Sequence, residues 1–125
     1  MARNWLPFLL KATPVVRVRI GPSRFSALID TGAQISMIAP DVAIILGLPS
    51  TGLQAVVGIT GKRENASLVQ LPSIGFGCIE LASCRAAVID VKQLGLKIEV
   101  LLGVNAFNKR RIQFDFIDER VYIIE

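Results

Sequence analysis

The sequence predicts an all-β domain, a barrel or sandwich of short strands. Three observations predict it. Apolar and polar residues alternate at period two in several stretches, glycine- and proline-containing turns separate them, and only one stretch carries helix signals. The 125 residues suit one domain with one core. A composition of 52% hydrophobic and 19% charged residues argues against disorder.

Residues 1–13 read as an N-terminal arm and residues 14–125 as the domain. From Val15 to Ile20, Val16, Val18 and Ile20 alternate with Arg17 and Arg19, the pattern of a half-buried strand. Gly21-Pro22-Ser23 is turn chemistry, and Phe25 to Ile29 alternates again up to Asp30-Thr31-Gly32. Ile35 to Ile38 is a short apolar strand. The helix spans Pro40 to Leu46: proline suits its first turn, Asp41 complements its N-terminal dipole and Gly47 suits its C-terminal end. Leu53 to Leu71 reads as two strands around Gly58-Ile59-Thr60-Gly61-Lys62, a hairpin tip. Ile74 to Ile89 adds strand weakened by Gly75 and Gly77, and Glu99 to Leu102 ends at Gly103. A helical turn follows at Asn105 to Asn108. Ile112, Phe114 and Phe116 then alternate with polar neighbours, and Asp118-Glu119-Arg120 turns into a strand from Val121 to Ile124.

Composition excludes much chemistry. Without histidine, no Ser-His-Asp or Cys-His nucleophile can be assembled, and two cysteines cannot complete a Cys/His zinc site. Cys78 and Cys84 make no disulfide framework and read as buried thiols. The formal charge is +4, but Arg17, Arg19, Lys62, Arg63 and the run Lys109 to Arg111 are dispersed and lack aromatic interleaving. They read as solvated faces, and no nucleic-acid partner is expected. The apolar run Val42 to Leu48 is far short of the ~20 residues of a membrane span. Trp5 to Leu10, broken by Pro7, is short for a signal peptide. The expectation is a soluble, cytoplasmic chain.

The sharpest feature is Ala27-Leu28-Ile29-Asp30-Thr31-Gly32-Ala33, a carboxylate where an apolar strand meets a glycine turn. Read plainly, it is a strand followed by a surface turn. An acid directly after a buried strand nonetheless calls for a partner or a task. Val100-Leu101-Leu102-Gly103 repeats the strand-into-glycine pattern downstream, with the glycine-tipped hairpin between. Ala87-Val88-Ile89-Asp90 mimics the lead-in to Asp30, but Val91-Lys92 follows in place of Thr-Gly, so Asp90 reads as a strand end. Asp115 and Asp118 read as strand-face and turn residues.

In order and motif, residues 14–124 resemble the retropepsin family of aspartic peptidases: retroviral and retroelement proteases and their single-domain cellular and bacterial relatives. The resemblance implies a closed β-barrel of the acid-protease fold, with one or two short helices, assembled as a two-fold homodimer. It implies that Asp30 is the catalytic aspartate, that Thr31 links the two active-site loops, and that Gly32 admits substrate backbone. Ala33 fits the retroviral side of the family. Gly58, Ile59, Thr60 and Gly61 would form the tip of a flap. Leu28, Gln34, Leu102, Gly103 and Val104 would bind an extended polypeptide substrate.

The chain departs from the retroviral pattern twice. Gln34 stands where an Asp is common, and Val104-Asn105 where Arg then Asn or Asp is common. Both halves of that usual ion pair are absent, so no orphan charge remains. The segment from Gln70 to Val100 is longer than in the compact viral forms.

The resemblance implies water activated between two carboxylates, with no metal or organic cofactor. One Asp-Thr-Gly in so short a chain makes a homodimer a chemical requirement of that reading, and the apolar ends Trp5 to Leu10 and Val121 to Ile124 suit its interface. The alternative is a catalytically inactive peptide-binding or dimerisation module on the same fold.

Overall fold

The computed structural model describes residues 3–57 and 61–124. Its strands are β1 (Trp5–Pro7), β2 (Val15–Ile20), β3 (Ser23–Ile29), β4 (Ser36–Ile38), β5 (Gly52–Val57), β6 (Arg63–Leu71), β7 (Ile74–Phe76), β8 (Ile79–Leu81), β9 (Cys84–Val88), β10 (Val100–Leu102), β11 (Arg111–Asp115) and β12 (Arg120–Ile124). One helix, α1 (Pro40–Leu46), lies between β4 and β5, and 3₁₀ turns span Val91–Leu94 and Val104–Phe107.

The alternation in the sequence becomes the two faces of β2 and β3. Val16, Val18 and Ile20 are buried while Arg17 and Arg19 face out; Phe25, Ala27 and Ile29 are buried opposite them. The hairpin register sets Ile20 against Ser23, so Gly21 and Pro22 alone make the turn. Gly21 adopts φ +57°, a sign that glycine meets without a Cβ clash. Pro40 opens α1, and Gly47 closes it in the left-handed region with φ 64°.

Nine strands form one sheet in the order β5-β6-β9-β4-β10-β3-β2-β7-β8. Among the described residues the expected barrel closure is not detected: β5 and β8 stand at the two edges, and β5, the outer arm of a hairpin with β6, does not pair with β8.

Part of the N-terminal stretch is strand. β1 pairs antiparallel with β12, Trp5 opposite Tyr122, in a second sheet of order β1-β12-β11. Leu6 is buried in the main core. Asn4 fastens this closure, donating its Nδ2 to the Ile123 carbonyl at 2.8 Å. Val121 and Ile123 of the same sheet are buried with Leu6.

Three smaller expectations are corrected. Phe116 does not continue β11: Asp115 Oδ1 accepts the N–H groups of Ile117 and Asp118, both at 2.9 Å, and bends the chain so that Phe116 is exposed. Asp90 caps the turn at Val91–Leu94, accepting from the Lys92 N–H. Of the two thiols only Cys84 is buried; Cys78 is exposed.

Candidate active site

The middle of the sheet explains where Asp30 sits. β10 runs parallel to β3, Leu102 opposite Ile29, and antiparallel to β4 on its other side. It is thus threaded between two strands that are neighbours in sequence. The connection from β3 to β4, which carries Asp30 to Gln34, must arch over the end of β10. β3 and β4 run antiparallel to each other with β10 between them, which leaves the arch open at the sheet's end, and loops placed by a rigid scaffold are where chemistry is commonly carried.

Backbone hydrogen bonds lock the arch. Asp30 N–H donates to the Leu102 carbonyl at 2.9 Å, Ala33 N–H to the Asp30 carbonyl at 3.2 Å and Val104 N–H to the Ala33 carbonyl at 2.8 Å. Gly32 N–H donates to Asp30 Oδ1 at 2.9 Å, fixing one carboxylate oxygen. A Cβ at Gly32 would stand 3.2 Å from that oxygen, so glycine keeps this side of the carboxylate clear.

Beneath the arch lies a small polar knot. Ser36, the buried polar residue of the described core, donates N–H and O–H to Asn105 Oδ1 at 2.9 and 2.8 Å. Its Oγ in turn accepts from the Gly103 N–H at 3.0 Å. Asn105 Nδ2 donates to the Arg85 carbonyl at 2.7 Å, tying in β9. Burial pushes the Cys84 thiol up from its ordinary range, with a hydrogen bond to Ser36 opposing. Gly103 is packed so tightly that a Cβ would meet the Ala33 carbonyl oxygen at 2.6 Å.

Asp30 opens into a cleft of about 840 Å³. Its floor is Leu28, Asp30, Gly32, Ala33, Gln34, Ile35, Met37 and Leu101; its wall is Gln54 to Val57 of β5; Arg85, Leu94 and Asn105 complete it. Among the described residues lining it, Asp30 is the single carboxylate and Arg85 the single cation. The rest is mostly apolar, the character of a site for side chains held by shape with a few polar contacts.

The structure thus brings Asp30, Gly32, Ala33, Leu28 and Gln34 together. Leu102 contributes its carbonyl, while its side chain is fully buried in the core; Leu101 faces the cleft in its place. Gly103 and Val104 lie outside the lining and act through the backbone of the arch. Thr31 is exposed at the crest. Gly61 takes φ +82° on the return of the hairpin; Gly58, Ile59 and Thr60 lie outside the described residues. Sequence reading missed Ser36, Asn105, the β5 wall and Arg85. Only strand parity could have found Ser36, which alternates with the cleft-lining Met37 in β4 and so faces the buried side.

Comparison with known proteins agrees with this geometry. Residues 16–106 match the model of an aspartyl protease family. The fold is similar to a retropepsin-like aspartic protease from Rickettsia conorii, at 16% identity and a TM-score of 0.68 over 95% of this chain and 87% of that one. It is similar to the retroviral protease-like domain of Ddi1 from Leishmania major, at 12% identity and a TM-score of 0.60 over 93% and 96%. It also resembles the simian foamy virus (mac) protease, at 14% identity and a TM-score of 0.52 over 75% and 91%. No curated protein matches the sequence. With an Asp-Thr-Gly arch over a threaded strand, a retropepsin-like fold and a family match over most of its length, the chain belongs to the aspartyl protease family.

Proposed function

We propose that this chain is an aspartic endopeptidase that works as a homodimer. The observation that carries the reading is a single carboxylate, Asp30, fixed by the Gly32 N–H at the floor of a mostly apolar cleft. Peptide hydrolysis by carboxylates needs two of them. One, ionised, takes a proton from the attacking water; the other, protonated, donates to the scissile carbonyl oxygen. Two carboxylates roughly 3 Å apart cannot both ionise, so they hold one proton between them and titrate as a unit. The described cleft supplies one. A second copy related by a two-fold axis supplies the other.

In this reading Asp30 of each copy flanks the water, and Gly32 N–H orients one oxygen of each carboxylate while the other faces the substrate. Water adds to the scissile carbonyl carbon, the tetrahedral intermediate collapses, and the proton passes to the leaving amine. Thr31, exposed at the crest, joins the two arches in this reading. The β5–β6 hairpin serves as the flap that excludes water, with Gly58, Ile59, Thr60 and Gly61 following β5 in the sequence. The polypeptide lies extended between hairpin and floor, held by main-chain hydrogen bonds. Apolar side chains next to the cut bond meet Leu28, Leu101 and Val57.

The test is Asp30→Asn. It alters one functional group on a half-buried side chain at the cleft floor, so fold and dimer persist while inhibitor-sensitive cleavage of an unfolded protein substrate disappears. Undiminished cleavage by the purified variant overturns the mechanism. A wild-type dimer without inhibitor-sensitive cleavage favours a peptide-binding module instead.

A further inference from the structure

On the outer surface of β2 and β3 lies a second depression, of about 300 Å³, that shares no residue with the Asp30 cleft. Arg3, Arg17, Arg19 and Arg24 line it, over Leu6 and Val18. The register explains the crowding. Arg17 and Arg19 are two residues apart on the outward face of β2, and Arg24 of β3 is directly opposite Arg19. Like charges directly opposed across a strand pair are destabilising. Glu80 relieves one of them, lying 2.6 Å from Arg19 Nη2. The absence of a side chain at Gly75 lets the Arg19 guanidinium lie across β7; a Cβ there would collide with it. Arg3 is stacked on Trp5, 4.5 Å from the ring centroid, and keeps its charge. Arg17 and Arg24 have no hydrogen-bond or ion-pair partner among the described residues. Three guanidiniums with no ion-pair partner among the described residues therefore converge on one depression of a chain whose formal charge is +4.

We propose that this depression is a docking site for an acidic, extended segment of polypeptide. Same-face side chains of an extended peptide recur at about 6.6 Å, the spacing of Arg17 and Arg19 along β2. Guanidinium forks bind carboxylates in bidentate fashion. The apolar floor accepts the methylenes of Glu or an intervening apolar residue. Single-stranded nucleic acid uses aromatic platforms for stacking, and the depression has none. A lipid bilayer is flat on this scale and does not enter a concave site.

The site is tested apart from catalysis by measuring binding in the Asp30→Asn background, where no peptide is consumed. The probe is a fluorescent peptide of alternating Glu and Val, followed by anisotropy. Arg17→Glu with Arg24→Glu should weaken binding by about tenfold or more. Lys97→Glu with Lys109→Glu makes the same change in net charge on exposed residues outside the depression and should change affinity by less than about twofold. Arg24→Glu alone should also raise the thermal midpoint, because it removes the opposed pair. If the reversed protein does not fold, Arg17→Gln with Arg24→Gln is read the same way. Equal losses in the two double variants overturn the proposal, as does absence of binding. Tighter, groove-dependent binding of an oligonucleotide or of phosphatidylserine vesicles also overturns it.

Discussion

The arch at Asp30 and the hairpin that faces it are built to opposite rules. The arch is saturated: Asp30, Ala33, Gly103 and Val104 each have their N–H bonded, Ser36 is fully buried, and Gly103 has no room for a methyl group. In β5, by contrast, Val56 is the one buried residue, and Leu53 and Val57 are 70% and 60% exposed. β5 is an edge strand, bonded only to β6. The difference teaches a division of labour. A reacting carboxylate must be held still, which rewards polar satisfaction and close packing. A wall that admits a polypeptide must be able to move, which rewards few buried contacts.

The comparison can be broken most severely at Gly103. Gly103→Ala drives a Cβ into the Ala33 carbonyl and the Ile35 backbone, which no side-chain rotation relieves. Its loss of stability should exceed about 3 kcal/mol, at the upper end for single replacements, read by chemical denaturation or by failure to accumulate folded protein. Asn105→Ala comes next. It leaves the Ser36 N–H and O–H without their acceptor in a buried place, a cost of about 1–3 kcal/mol by the same measurement. Asn105→Asp, which keeps an acceptor oxygen, should recover part of it.

The hairpin should respond in the reverse sense. Val57→Ser, on an exposed residue of the cleft wall, should shift stability by no more than about 0.5 kcal/mol. It should nonetheless lower kcat/KM for an apolar peptide about tenfold, the scale of a lost apolar pocket contact. A stability loss equal to that of Asn105→Ala would remove the distinction between the two regions.

The same division explains what could be read from sequence. α1 was legible from Pro40 and Gly47, and β2 and β3 from their alternation, because those signals are local. The strand end and glycine turn around Asp30 were legible because they are contiguous. β1 was not: Pro7 and its shortness hide it, and its partner Tyr122 lies at the other end of the chain. Ser36 looks in sequence like any polar residue within a short apolar strand. Its meaning depends on Asn105 and Gly103, brought to it only by the threading of β10. The Arg17 and Arg19 pair reads as a solvated strand face until β3 sets Arg24 opposite it. Barrel closure is not detected among the described strands, since edge pairing depends on how the β5–β6 hairpin projects, which no local pattern encodes.

The central claim is that one chain is half an active site, and mixing chains tests it most directly. Wild-type protein is refolded together with an equal amount of the Asp30→Asn chain, and peptide cleavage is compared with the same wild-type amount alone. If each site needs Asp30 from both copies, random pairing leaves about half of the original two-aspartate dimers, and activity falls to about half. Activity unchanged by the added chain would show that a single copy carries the whole site and would contradict the account.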